Sequence, residues 1–516
     1  MIRRQDHGGR AFCDDATYSH LAIASTLAMH ARYGLAPDHS MPAVRDTGWR
    51  LLLAAGTLVL DAVSAAYILG ALCAVLTLLV LLRLARLLFP FPPFMLYACA
   101  LLIVGPQFLW IVLSGTALPL ATLLITLAVM LHVEGLQGRR QVLPMMLMIC
   151  VAFAAWIRIE FVLLWVLLPL HALCVATGRT MKAGGFSRGQ VVLRWILGVL
   201  VLALLLLPLI GWNAYYLRVP WPRPIDAPLA LDVWARGPAN AVRESMALVR
   251  EMLPSMYAEF YRVPFLGGWI QRVFFWFGCL VLIALGAGRV EERPFTVLVA
   301  IPVVLPVLYA LVFPYVGPGG VRTVFGAFYP LAALLAAYGF FRIPFLLEYL
   351  HRRWKEGLPT PIGFNTWWVT VGAIFLVATM VRSAGLLNKD LAALRSARDV
   401  REQLVRRIGE EGLMEGVIAT DMPGWVAHRL GIPFVDLTGE GSPDILRTLD
   451  RSGCIDGRKL TDLLRKEKVS AVLLWTTAEE PAWMKQLNTV SLYSASIAER
   501  AETVHLYRLM TTSGGF

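Results

Sequence analysis

The sequence predicts a polytopic α-helical membrane protein of about ten transmembrane helices with a C-terminal soluble α/β domain, on three observations. The chain is 58% hydrophobic and only 16% charged over 516 residues, with a mean hydropathy of +0.64. That is too apolar for a soluble globular protein of this length. Apolar runs close to a bilayer's thickness recur between residues 67 and 386. After Ala384-Gly385 the composition becomes that of a soluble domain.

The first segment, residues 1–66, is expected to lie outside the cytoplasm. Residues 1–10 are polar and basic, so no cleavable signal or apolar anchor is expected ahead of Asp14-Asp15. Residues 16–35 read as an amphipathic surface helix. Residues 49–60 are apolar but interrupted by Asp61, which suggests a re-entrant or interfacial piece.

The transmembrane domain, residues 67–387, contains runs at 67–89, 93–112, 115–135, 142–157, 159–176, 191–211, 267–287, 294–314, 323–345 and 366–386, with a long outer loop at 212–266. If the spans alternate, Arg83, Arg86, Arg139, Arg140, Arg179, Lys182, Arg289, Arg293, Arg352 and Arg353 share one side. Basic loops mark the cytoplasmic side, so these orient the protein in a plasma or inner membrane. The same rule accounts for the net charge of +12 without nucleic acid, for which no basic stripe with exposed aromatics is present. The opposite side receives Asp14-Asp15, the Ser114-Gly115 turn, the Arg158–Glu160 break, the outer loops and the tail.

The tail, residues 388–516, reads as a charged linking helix over 388–412, strands at 416–420, 434–437, 471–475 and 504–509, and helices at 442–451 and 459–467. Five of the seven cysteines fall in apolar runs, with no Cys-x-x-Cys or Cys/His cluster, which argues against a disulfide framework or a zinc site. The glycine-rich stretches 317–320 and 439–441 lack a nucleotide-binding register and read as loops.

Asp14 and Asp15 are the candidate catalytic centre. Adjacent carboxylates at the start of a helix either cap it or hold a proton-accepting site where water meets the bilayer. Arg158 and Glu160 interrupt what is otherwise one apolar run from 142 to 176. They either pair in an interfacial turn or present a guanidinium to a phosphate. Arg322, in an outer loop, has the same two readings. Tyr215, Tyr216 and Arg218 precede a proline-rich loop, as an aromatic belt or as binders of a sugar and its phosphate. His20 is either a solvated helix residue or a proton shuttle.

Several pieces occur in order: Asp14-Asp15-Ala16 with its helix, Arg45-Asp46-Thr47-Gly48-Trp49, Ser114-Gly115-Thr116, Arg158-Ile159-Glu160, Tyr215-Tyr216, and residues 417–439 of the tail. This ordered set resembles the GT-C class of multispanning glycosyltransferases, with a tail similar to its arabinofuranosyltransferase-like and mannosyltransferase-like branches. The resemblance spans nearly the whole chain. It implies a polyprenyl-phosphate sugar as donor and an envelope glycan, lipid or protein as acceptor. It also implies an inverting displacement in which Asp14, assisted by Asp15, is the general base.

Arg45 and Asp46 would join the substrate-binding group with Arg158, Glu160, Tyr215, Tyr216, Arg218 and Arg322. No cofactor is required by the sequence, and Mg or Mn on the Asp pair is left open. Two rival readings are a transporter or flippase of a lipid-linked saccharide and a non-catalytic assembly factor. The first is countered by the lack of matching halves.

Overall fold

A computed structural model describes residues 15–36, 39–40, 46–137, 143–158, 161–175, 188–217, 269–312, 326–354, 364–437, 456–476, 481–497 and 502–510, with single residues at 243, 246, 250, 445 and 448. Helix α1 (Asp15–His30) leads through a short antiparallel ribbon, β1 (Gly34–Ala36) and β2 (His39–Ser40), to α2 (Thr47–Thr57). Asp61 interrupts the apolar run because it caps the next helix, α3 (Ala62–Leu88), accepting from the Ser64 N–H at 2.9 Å.

Each of the ten apolar runs is helical over most of its described residues. The 93–112 run is two helices, α4 (Pro92–Val104) and α5 (Pro106–Leu113), broken at Gly105. Pro106 has no N–H with which to continue the ladder, and it pushes Gly105 out of helical geometry. There follow α6 (Leu118–Leu136), α7 (Leu143–Ile157), α8 (Val162–Val175), α9 (Arg188–Leu217), α10 (Trp269–Gly288), α11 (Val297–Val312), α12 (Tyr329–Trp354) and α13 (Phe364–Glu410). By length and composition, four stretches among the described residues can cross a membrane: Ala62–Leu88, Leu118–Leu136, Tyr329–Leu347 and Trp367–Gly385. Helices such as Pro92–Val104 and Val162–Val175 are apolar but shorter. On this measure the expected ten crossings stand at four.

Exposed Ile374, Val377 and Val381, each more than 60% accessible on α13, form an apolar face that water would not tolerate and lipid would. Helices α10 and α12 cross at Gly278 and Gly339. A Cβ at either position would collide with the backbone carbonyl of Leu335 or Phe274. Only glycine lets the two backbones approach so closely.

The linking helix expected at 388–412 is not separate. It continues the last apolar run as one helix of 47 residues. The tail then forms a five-stranded sheet from β3 (Val417–Thr420), β4 (Phe434–Asp436), β5 (Val469–Thr476), β6 (Thr489–Ile497) and β7 (Glu502–Leu509), in the order β4-β3-β5-β7-β6. Strand β3 runs parallel to both neighbours, while β7 is antiparallel to both of its own. Helix α14 (Gly457–Lys466) matches the expected 459–467 pattern. The expected 442–451 helix lies mostly outside the described residues.

The sheet is fastened to α13. Arg508 Nη2 donates to the Glu411 carbonyl at 2.8 Å and to its carboxylate at 3.1 Å, and Tyr493 OH donates to Gln403 Oε1 at 3.0 Å. One continuous apolar core contains Tyr18 of α1, Ala65 of the bundle, and Ile418 and Trp425 of the tail.

Candidate active site

Helix α1 is the centre of the site, and it is not the surface helix its sequence suggests. Residues 17–24 are buried on every side. Helices α2 and α3, strand β1 and the 423–430 turn of the tail all pack on it. Its polar residues therefore find partners inside the protein, as buried polar groups must. Thr17 Oγ1 donates to the Ser114 carbonyl at 2.8 Å, fixing the start of α1 against the α5–α6 turn. Trp49 Nε1 of α2 donates to the next carbonyl, Gly115, at 3.1 Å.

Asp46 stands at the entry to α2 with φ of 57°, the left-handed region that Asn and Asp tolerate best after glycine. Its N–H donates to the Ile157 carbonyl at 2.7 Å. Arg158 follows immediately and is buried, with 7% of its surface accessible. Gly48 lets α2 lie against α7, since a Cβ there would meet Trp156 Cβ at 3.4 Å.

Behind Asp46 is a chain of buried polar groups. Arg50 Nε donates to His20 Nδ1 at 3.2 Å and Arg50 Nη1 donates to Tyr33 OH at 2.9 Å, which donates onward to Thr47 Oγ1 at 3.3 Å. Burial first, and the Arg50 guanidinium second, hold the His20 imidazole well below its ordinary value. His20 is thus neutral. Because Nδ1 accepts from Arg50, the ring proton sits on Nε2, which lies 3.6 Å from Asp46 Oδ2. This arrangement can position the Asp46 carboxylate.

The tail closes the site from above. Arg401 of α13 is buried and stacks on Tyr18 at 5.2 Å and on Trp475 at 4.7 Å, while the Tyr18 ring meets His428 at 5.8 Å. The Trp475 N–H donates to both oxygens of Asp421 at 2.9 Å. Burial still pushes the Asp421 carboxyl up to about 7.

The sequence-selected residues divide accordingly. The Asp46 backbone bonds to the residue before Arg158, and Asp15 opens α1 two residues before Thr17; its side chain is not among those described. Tyr215 is 79% exposed on the last turn of α9, and Tyr216 follows it in the same helix. Asp14, Arg45, Glu160, Arg218 and Arg322 lie outside the described residues. Among the described residues, no three His, Cys, Asp or Glu side chains gather as a metal site, and His20 Nδ1 is already engaged by Arg50.

Sequence reasoning passed over Arg50, Tyr33, Arg401 and Asp421. Arg50 carried a signal: it stands four residues after Asp46 in a helical pattern, so the two share a face. Arg401 carried none, in a helix that also contains Arg395 and Arg398.

No family model and no curated protein sequence matches this chain. Solved structures do match its fold. The archaeal oligosaccharyltransferase AglB from Archaeoglobus fulgidus, solved with an inhibitory peptide and a dolichol-phosphate, superposes with a TM-score of 0.52 at 11% identity, over 94% of this chain and 70% of that one. ArnT from Cupriavidus metallidurans in the apo state superposes with a TM-score of 0.51 at 13% identity, over 96% and 94%. The same protein bound to undecaprenyl phosphate gives 0.51 and 13%, over 98% and 96%. The chain thus shares, over nearly its whole length, the fold of proteins solved with dolichol-phosphate and undecaprenyl phosphate.

Proposed function

We propose that this chain is a membrane glycosyltransferase that moves one sugar from a polyprenyl-phosphate carrier to an extracytoplasmic envelope acceptor. One observation supports the proposal: His20 of α1 faces Asp46, and the Asp46 backbone bonds to the residue before the buried Arg158, within a fold shared with proteins solved holding dolichol-phosphate and undecaprenyl phosphate. Carboxylates beside a buried arginine suit a displacement at an anomeric carbon with a phosphate leaving group.

In that reaction the acceptor oxygen attacks the anomeric carbon from the face opposite the phosphate, and its proton passes to the carboxylate of Asp14, with Asp15 adjoining. The bond from the anomeric carbon to the phosphate oxygen breaks, and the polyprenyl phosphate departs with the electron pair. Arg158 stabilises the charge that builds on that oxygen. Asp46, held by His20 and Arg50, orients the acceptor hydroxyl. The outcome is inversion.

Ten spans crossing alternately would put this site and the tail on the outer face, and Arg83, Arg86, Arg289 and Arg293 at the cytoplasm. The similarity of the tail to the arabinofuranosyl- and mannosyltransferase branches points to a pentose or hexose donor. A Mg or Mn ion on Asp14 and Asp15 would raise the charge available to the phosphate.

Purified protein with a radiolabelled polyprenyl-phosphate sugar and crude envelope acceptor provides the test. Transfer is expected in the wild type and at least about a hundredfold less in Asp14→Asn. Undiminished transfer in both Asp14→Asn and Asp15→Asn would overturn the catalytic assignment. Movement of a lipid-linked saccharide across vesicles, with no transfer from any donor, would make the protein a transporter.

A further inference from the structure

The bundle carries a second polar site at the end away from Asp46 and Arg158. Helix α6 starts beside the Ser114-Gly115 turn and reaches Glu134 sixteen residues later, about 24 Å along its axis. There Arg83 Nε of α3 donates to Glu134 Oε1 at 2.6 Å. Glu134 is 2% exposed, whereas the Arg83 side chain is 49% exposed. The carboxylate is therefore inside and the guanidinium half outside.

A cavity of about 780 Å³ opens at this point, lined by Leu79, Leu82, Arg83, Arg86, Leu87 and Glu134. Residues 79, 82, 83 and 86 follow the i, i+3, i+4, i+7 spacing of a single helix face. Along that face the aliphatic side chains lie toward the middle of α3 and the guanidinium groups toward its end.

We propose that this cavity holds one anionic phospholipid from the leaflet at the basic end of the bundle. The face has the polarity of a lipid read from chain to headgroup. Leu79 and Leu82, 58% and 37% exposed, offer a wall to an acyl chain. Arg86, which makes no hydrogen bond or ion pair among the described residues, meets the phosphodiester. Glu134 cancels the charge of Arg83, which leaves one positive charge for one phosphodiester negative charge. The remaining N–H groups of Arg83 can still donate to the same phosphate. A free phosphate ion would leave the leucine wall unused, so the lipid is the occupant the geometry favours. This site is separate from the transfer chemistry and stands or falls without it.

Native mass spectrometry of the full chain in detergent, titrated with dioleoyl phosphatidylglycerol or dioleoyl phosphatidylethanolamine, tests the proposal. The first phosphatidylglycerol is expected to bind about tenfold tighter than the first phosphatidylethanolamine. The preference should disappear in the double variant Arg83→Gln, Arg86→Gln. Arg86→Gln alone, which breaks no internal bond, should weaken it severalfold, and covers the case in which the double variant does not fold. Leu79→Trp, which fills the aliphatic wall and keeps both arginines, should weaken phosphatidylglycerol binding as well. Equal affinity for the two lipids overturns the proposal, as does a preference that survives in the arginine variants. Displacement of the bound lipid by millimolar inorganic phosphate would show an anion site that does not read the lipid.

Discussion

The backbone N–H of Asp46 donates to the carbonyl of Ile157 at 2.7 Å, joining the loop before α2 to the last residue of α7. Two stretches distant in sequence are thereby joined at Asp46 and the residue before Arg158. The bond is made by the backbone, so it survives any substitution other than proline at position 46. The side chain is thus open to test independently of the scaffold.

Asp46→Asn should fold and melt as the wild type does, because Asn tolerates the left-handed backbone found here. Its rate of sugar transfer should fall about tenfold, through loss of the charge that orients the acceptor. Asp46→Ala should lose about 1 kcal/mol of stability as well, since alanine is strained at positive φ. Thermal melts beside single-turnover rates separate the two effects.

Arg158→Lys keeps the charge but not the planar fork that matches a phosphate. The catalytic rate should fall about a hundredfold with little change in KM, as expected for a group that acts on the leaving oxygen in the transition state. An equal rise in KM with an unchanged rate would instead assign Arg158 to ground-state binding.

Arg401→Ala removes the cation held between Tyr18 and Trp475. Contacts of this kind contribute about 0.5–2 kcal/mol each, so the tail should loosen from α1 while the bundle stays folded. Hydrogen exchange should quicken over residues 17–24 and 469–476 and remain unchanged over α3. Arg401→Lys should recover part of the protection.

Asp421 gives a pH signature. With its carboxyl raised to about 7 in the folded chain from an ordinary value of 3.8, the folded state holds a proton that the unfolded chain has already released. This residue therefore lowers stability as pH rises across that window, and its full cost applies above it. Asp421→Asn keeps one acceptor for the Trp475 N–H and removes the charge. The variant should melt a few degrees higher than wild type near pH 8 and equally near about pH 4.

The membrane part was legible because hydrophobic periodicity and length are local properties. The described residues of the apolar runs are mostly helical, and the 93–112 run is broken at a proline visible in the sequence. Strands β3, β4, β5 and β7 were legible for the same reason, as short β-branched runs between turns. Strand β6 was not: Thr489–Ile497 is rich in serine and lies at the sheet's edge, paired only with β7. The burial of α1 was also hidden. Its sequence is only mildly apolar, and what covers it is a turn four hundred residues away. Asp46 and Arg158 were chosen for their ordered resemblance and for the cost of charge near lipid. Arg401 differs from surface residues only through tertiary contacts that no local pattern encodes, and the same contacts decide between the two readings of His20.

Helix α13 runs unbroken for 47 residues, from Phe364 in the apolar bundle to Glu410 beneath the sheet. At 1.5 Å per residue it is a rod of about 70 Å, stiff enough to act as a strut. Bilayer thickness fixes the depth of its lower half, and the strut passes that depth on to Arg401 and the roof over Tyr18. On the proposed function, a thinner or thicker membrane would shift that roof relative to the bundle, and transfer rates in bilayers of different thickness would read it out.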